Sequence, residues 1–267
     1  MTAFYKLSGA GNDFIAFVEP ASDPGGGSIR AWCRRGLSLG ADGVVVLERG
    51  ASAGSVTMRH WNADGGRAEL CLNGSRCAVR LADELGWIDG PTVNLTTDSG
   101  VLRGRTAGPD RVEIEVPFAV EAPREVALET SGGLFRGHAL RVGVPHLVVP
   151  SPGPVSEVEF AAVAPELRAH PELGPAGANV NLVERLAGGG LAVRTWERGV
   201  EAETLACGTG AVASVFVGAS VDGLEMPAEV STAGGFVLGV SRLGQGAALT
   251  GDARIVARGE LLPGAVG

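Results

Sequence analysis

The sequence predicts an α+β chain made of two similar halves that face each other. Two observations carry this. Residues 197–214 centre on Cys207, which is followed by Gly208-Thr209-Gly210 and then by Ala211, Val212, Ala213, Val215, Phe216 and Val217, a run apolar on every side that reads as a fully buried helix. Earlier, Cys71-Leu72-Asn73-Gly74-Ser75 lines up with Cys207-Gly208-Thr209-Gly210-Ala211. A cysteine therefore heads a helix twice, at an interval of about half the chain, which suggests a duplicated unit rather than a solenoid. A third observation, 42 glycines against the usual share of about 7 per cent, scattered among β-type runs, implies many tight turns.

The elements follow in order. Residues 3–7 and 13–18 read as strands joined by Ser8-Gly9-Ala10-Gly11-Asn12-Asp13, a turn that presents polar side chains. Ser28 is the expected cap of a helix running to Arg35 and stopped by Gly36. Strands are expected at 44–47 and 56–61, the second ending in the turn Asn62-Ala63-Asp64-Gly65-Gly66, and then a helix over 74–85. Residues 93–116 read as a three-stranded meander and 117–125 as the best linker. The second half repeats the style, with strands at 134–142, 146–149, 180–184 and 191–196, a helix over 156–169, the cysteine-headed helix, and strands at 229–232 and 236–240. Gly25-Gly26-Gly27 and Gly188-Gly189-Gly190 read as loop tips rather than phosphate cradles. Cys33 and Cys77 fall on apolar helix faces and read as core.

Cysteine at a helix N-terminus is a chemical statement as well as a structural one. Unpaired N–H groups and the helix dipole there lower a thiol's pKa and would also hold a carboxylate. Two such thiols across one cleft make an acid and base pair. Glu197 and Arg198 end a strand just before the Cys207 loop, where site residues commonly lie. His146, in Gly143-Val144-Pro145-His146, reads on residue grounds as structural, and Asn62 and Asp64 as either turn formers or site residues.

Bulk properties exclude several classes. A net charge of −8 without a basic cluster argues against nucleic acid. Four dispersed cysteines are not a secreted disulfide scaffold, the longest apolar run is too short for a bilayer, and the first residues lack an apolar signal segment. A cytoplasmic setting is expected. No Cys-x-x-Cys occurs, which argues against thiol redox, and Cys71-x5-Cys77 is not a zinc knuckle.

Taken together, Gly-Ala-Gly-Asn12-Asp-Phe, Asn62-Ala-Asp-Gly leading to Cys71-x-Asn73-Gly74, Pro145-His146, Gly177-x-Asn179, Glu197-Arg198-Gly199 and Ala206-Cys207-Gly208-Thr209-Gly210 resemble diaminopimelate epimerase over nearly the whole chain. The resemblance implies two pseudo-symmetric domains, each a mainly antiparallel β-sheet or barrel wrapped around a central helix, with the active site in the cleft between them. The first would be 1–117, with 250–267 returning to it, and the second 118–249.

It also implies cofactor-independent and metal-independent epimerisation of L,L-diaminopimelate to the meso form by two cysteine bases, Cys71 and Cys207, in a homodimer with no nucleic-acid or membrane partner. Asn73, Gly208 and Thr209 would hold the α-carboxylate, and Asn12 and Glu197 the α-amino group. Asn62, Asn179 and Arg198 would grip the distal end, while His146 and Glu197 tune the thiols. Three positions depart from the family pattern. Leu72 stands where glycine is usual, its N–H retained and its side chain crowding the approach; Val144 replaces an asparagine; Gly43 replaces a glutamine of some members. Racemisation or isomerisation of another acid on the same scaffold, and a non-catalytic binding or thiol-switch module, are the rival readings.

Overall fold

Alternating and continuous apolar runs become strands, and the two cysteine-headed segments become helices, in a computed structural model that describes residues 2–52, 54–68 and 70–266. The chain forms two compact units, Met1–Pro117 with Thr250–Gly267, and Phe118–Leu249.

In the first unit the elements run β1 (Thr2–Gly9), β2 (Asn12–Val18), α1 (Gly26–Cys33), β3 (Gly43–Arg49), β4 (Ser55–Asn62), α2 (Leu72–Glu84), β5 (Val93–Thr97), β6 (Gly100–Gly108) and β7 (Arg111–Glu115). The second holds β8 (Arg124–Thr130), β9 (Gly133–Val142), β10 (Val144–Pro150), α3 (Phe160–Arg168), β11 (Asn179–Arg185), β12 (Leu191–Glu197), β13 (Ala202–Thr204), α4 (Gly208–Val221), β14 (Ala228–Thr232) and β15 (Val237–Leu243). The chain then continues through β16 (Gly246–Asp252) to β17 (Arg254–Leu261), which pairs with β1.

Strand pairing repeats in kind. In the first unit β17–β1 and β1–β2 are antiparallel, β2–β3 parallel, β3–β4 antiparallel, β4–β5 parallel and β5–β6 antiparallel. In the second the same sequence of senses runs β8–β9, β9–β10, β10–β11, β11–β12, β12–β14, β14–β15. The parallel steps explain why β2 and β3 are buried along Phe14–Phe17 and Val44–Leu47: strands covered on both faces are continuous apolar runs. Each sheet curls around one helix. α2 touches β1 to β7 and β17, and α4 touches β9, β10, β11, β12, β14 and β15. From Gly208 to Gly218 every residue of α4 except Thr209 is buried, as its unbroken apolar run demands.

Sheet and helix α3 enclose a second core layer, with Phe160, Ala164 and Leu167 on Leu147, Val149, Val180 and Leu182; in the first unit α1 supplies Ile29 and Cys33 against Ile15, Phe17, Val44 and Val46. Cys33 and Cys77 are thus core residues, and burial, the largest influence, pushes the Cys33 thiol up to about 11.

Four expectations are corrected. Helix α1 starts at Gly26, so Gly25-Gly26-Gly27 begins a helix and Ser28 lies inside it rather than capping it. The cause is a close approach of backbones: a Cβ on Gly65 would lie 2.6 Å from the Gly26 carbonyl oxygen. The helix expected over 156–169 is split into a 3-10 turn at Val155–Glu157 and α3, which tolerates Pro165 in its interior. Residues 124–130, partly read as linker, form strand β8, whose inward Val126 and Leu128 alternate with exposed neighbours. β13, only three residues long, is a strand within the stretch that the sequence presents as the loop before Cys207.

Candidate active site

Both cysteines are the N-caps of their helices. Cys71 (φ −139°, ψ 107°) and Cys207 (φ −110°, ψ 112°) are extended, and each sulfur accepts from the N–H three residues on, Gly74 or Gly210, at 3.4 Å. Their carbonyls take the first helical bonds, from Ser75 at 2.8 Å and Ala211 at 2.9 Å. A thiol thus does the work usually given to serine or aspartate. At Gly210 the glycine three residues on has a steric reason, since a Cβ there would lie 2.3 Å from Asn181 Oδ1; at Gly74 a Cβ would meet the Phe14 ring at an ordinary 3.4 Å.

The candidates sort into two half-sites, one per unit. Beside Cys71 stand Asn12, Leu72 and Asn73, and Asn62 belongs to the same unit. Asn12 Nδ2 donates to Asp42 Oδ2 at 2.8 Å, which turns its Oδ1 toward the Cys71 thiol at 3.5 Å. Asp42 also accepts from the Asp13 N–H at 3.0 Å, and Arg35 and Lys6 pair with Asp13 at 2.5 and 2.6 Å. Burial alone would raise the Asp13 carboxyl, yet hydrogen bonds from Arg35, Lys6 and the Asp42 side take it down to about 2. The turn bearing Asn12 is therefore anchored by charge. Asn62 is exposed at the end of β4, with its backbone holding the Gly65-Gly66 turn. Leu72 is buried at the first helical position. Asn73, also buried, accepts at Oδ1 from Arg76 Nη2 at 2.8 Å. The Gly43 departure has a local basis: a Cβ there would meet the Trp61 carbonyl oxygen at 2.5 Å and His60 Nε2 at 2.8 Å.

Around Cys207 stand His146, Asn179, Glu197, Arg198, Gly208 and Thr209. Glu197 Oε1 accepts from Thr204 Oγ1 at 2.8 Å, and its carboxyl hydrogen-bonds the Cys207 thiol. Thr209 Oγ1 lies 3.5 Å from the sulfur. Asn179 Oδ1 accepts from the Arg198 N–H at 2.8 Å, so these two are brought together directly. The Arg198 guanidinium makes no hydrogen bond or ion pair among the described residues.

The expected acidity of Cys207 is corrected. Burial, then the neighbouring Glu197 carboxylate, raise this thiol well above its ordinary value, and outweigh the hydrogen bonds from Thr209 and Gly210. Burial likewise raises Glu197. The helix terminus stabilises an anion there, but desolvation and an adjacent acid oppose it.

Sequence reasoning missed Asp42, Arg76, Thr204, and the pair Asn181 and Thr195 beneath α4. Asn181 Nδ2 donates to the Leu147 carbonyl at 3.1 Å and its Oδ1 accepts from Thr195 at 2.9 Å, which fixes the amide. The same Nδ2 faces His146 Nδ1 at 3.2 Å. Nδ1 must then accept, and the imidazole proton sits on Nε2, which has no partner among the described residues. In the first unit the equivalent cross-strand pair is Val45 and His60, and Phe14 occupies the place of His146. The period-two signal could not show which residues pair.

Burial holds both internal histidines neutral, His60 down at about 4 and His146 at about 3, with Arg67 and Arg198 adding to the effect. Their unfolded values are near 6.5, so below that pH the unfolded chain binds protons that the folded chain refuses. Stability from this source is full above pH 6.5 and is lost as pH falls toward 4, by up to about 1.4 kcal/mol per pH unit per histidine. Urea midpoints measured from pH 7 to 5 should fall accordingly, and His60→Gln and His146→Gln should each flatten the slope by one proton. An unchanged slope in either variant contradicts the assignment. Asp13 titrates lower and does not enter this window, and Glu197, raised by burial, acts with the opposite sign, so the comparison of each variant with the parent carries the test.

The sequence profile described as "Diaminopimelate epimerase" matches residues 4–116 and 138–256, spanning both half-sites. The chain belongs to this family. Relatives named diaminopimelate epimerase include those of Gemmatimonas aurantiaca, 37% identical over 218 residues (79% of this chain, 77% of the relative), and Methanocella arvoryzae, 35% identical over 272 residues (97% and 96%). Among solved structures, a phenazine biosynthesis protein of the PhzF family from Enterococcus faecalis superposes with TM-score 0.74 at 14% identity, covering 98% of this chain and 99% of that one. A probable proline racemase from Agrobacterium radiobacter gives 0.68 at 16% identity, covering 100% and 96%. These distant likenesses show a shared fold. The two-unit α+β architecture agrees with the two similar halves that the duplicated cysteine motif predicted and with the fold that the resemblance implies. Among the described residues no helix is long and apolar enough to cross a membrane.

Proposed function

We propose that this chain epimerises L,L-diaminopimelate to meso-diaminopimelate, for lysine and cell-wall precursor synthesis in the cytoplasm, using Cys71 and Cys207 as the two acid–base groups and no cofactor. The observation that carries this reading is the pair of matched helix-capping thiols within a family of this name. One thiolate removes the α-proton from one face of the carbon, and the other thiol delivers a proton to the opposite face. Negative charge then builds on the substrate carboxylate. Amides at the two helix starts, those of Asn73, Gly208 and Thr209, bind that charge more strongly in the transition state than before it. In this reading Asn12 and Glu197 accept from the α-ammonium, and Asn62, Asn179 and Arg198 hold the distal end.

The test is exchange of α-hydrogen for deuterium, with L,L- or meso-diaminopimelate and purified protein without added cofactor. Exchange with inversion supports the reading; exchange only with another amino acid would move the activity elsewhere on the same scaffold. The departures at Gly43, Leu72 and Val144 are the observations that make it worth running other amino acids beside diaminopimelate.

A further inference from the structure

Arg76 is a guanidinium sealed inside the first unit. It is 0% exposed, and its Nε donates to the Asp252 carbonyl at 3.2 Å and its Nη2 to Asn73 Oδ1 at 2.8 Å, while Nη1 has no partner among the described residues. Among the described residues no carboxylate pairs with it. The Asp252 carboxylate is taken by Arg254 at 2.9 Å and the Ala10 N–H at 3.1 Å. Burying a cation this way is unfavourable unless something compensates.

Packing does not ask for that charge. Arg76 lies five residues after Cys71, and five after Cys207 the repeated helix carries Val212, equally buried. One architecture fills the same place with an uncharged side chain half as large. The difference is therefore chemical, and it lies on the Cys71 side alone.

Two consequences follow from the contacts. A guanidinium only donates, so Asn73 must give it the amide oxygen and keep its NH2 edge for another direction. The charge also reaches back to the first turn of α2, the turn that Cys71 caps. The titratable and charged groups around it are Cys77 and Cys71 on α2, Asp252 at the end of β16, and Arg111 on β7; Arg254 follows on β17, and Asp42 stands behind Asn12. Cys77 is sealed in the core, whereas Cys71 caps the helix start two residues before Asn73, the residue that the guanidinium holds.

We propose that Arg76 is a positioning residue of the Cys71 half-site, orienting the Asn73 amide and supplying the buried positive charge that favours the thiolate at Cys71. The proposal rests on the reading of Cys71 as a base, but its test needs no substrate. The rate of iodoacetamide alkylation is followed against pH, peptide by peptide, with Cys207 in the same molecule as the reference.

Arg76→Met should slow Cys71 alkylation at pH 7 by about tenfold or more, as a one-unit rise in its midpoint requires, and leave the Cys207 rate where it was. Asn73→Asp, which neutralises the cation with an adjacent carboxylate, should act in the same direction. Arg76→Lys keeps the charge and should hold the Cys71 midpoint near that of the parent. An unchanged Cys71 rate in folded Arg76→Met, or equal slowing of both thiols, overturns the proposal. Should Arg76→Met fail to fold, Asn73→Asp decides, and an unchanged Cys71 rate there overturns it equally. Failure of this test with deuterium exchange intact would remove Arg76 from the mechanism and leave the two-thiol reading standing.

Discussion

Replacing either Cys71 or Cys207 with alanine is expected to leave a folded protein that no longer inverts its substrate. Each sulfur accepts one hydrogen bond from a helical N–H at 3.4 Å, a long contact. Losing the cap should therefore cost no more than about 0.5–2 kcal/mol of stability. The chemical loss is much larger. Removing a general acid or base costs roughly a hundred- to ten-thousand-fold, and inversion needs both groups in one turnover. The two variants should differ in their remaining chemistry: the surviving thiol can still exchange the α-proton of one stereoisomer with solvent, without crossing to the other face. Circular dichroism and thermal unfolding check the fold, and chiral analysis in deuterated water checks the reaction. Full turnover by either single variant would sink the two-base mechanism.

The parts of this molecule that were legible in the sequence are those set by local pattern. Helix α4 could be read because eleven successive residues offered no polar face, and Cys207 could be placed at its start because two glycines precede an apolar run. The duplication was legible because Cys71 and Cys207 carry the same spacing to Gly74 and Gly210. Helix α1 was misread because its start carries no capping side chain and depends on the contact of Gly26 with Gly65, some forty residues away. Strand β8 was partly absorbed into a linker because Pro123, Arg124 and Glu125 mask an alternation that begins only at Val126.

Residues that tune the half-sites were illegible for a different reason. Asp42 reaches Asn12 across the β2–β3 pairing, and Asn181 reaches His146 across β10–β11, so each depends on register that composition cannot supply. Cys207 shows the limit most clearly. Sequence gives the helix terminus and its dipole, but not that Glu197 folds back against the sulfur, and that contact together with burial decides the sign of the thiol's shift.

Arg198→Ala is expected to impair the enzyme nearly as much as loss of a base, through a contact remote from the reacting carbon. Arg198 directly follows β12, and its N–H is fixed by Asn179 at 2.8 Å, so the backbone that carries it is held while the guanidinium makes no bond among the described residues. A charged fork without an internal partner suits a carboxylate brought by the substrate, through two parallel hydrogen bonds that lysine cannot reproduce. In the proposed reaction that partner is the distal carboxylate. Removing the fork leaves a desolvated anion unpaired, which costs roughly 2–5 kcal/mol. The fall in kcat/KM is then roughly thirty- to several-thousand-fold. Part of it should appear in kcat, because a substrate held at one end only spends less time aligned with the thiols. Arg198→Lys should fall between the two. An analogue lacking the distal carboxylate separates this role from a general effect on the site: the parent should discriminate strongly against it, and Arg198→Ala should treat it and diaminopimelate nearly alike. Normal kinetics of Arg198→Ala on diaminopimelate, or discrimination that survives the substitution, would remove Arg198 from substrate selection.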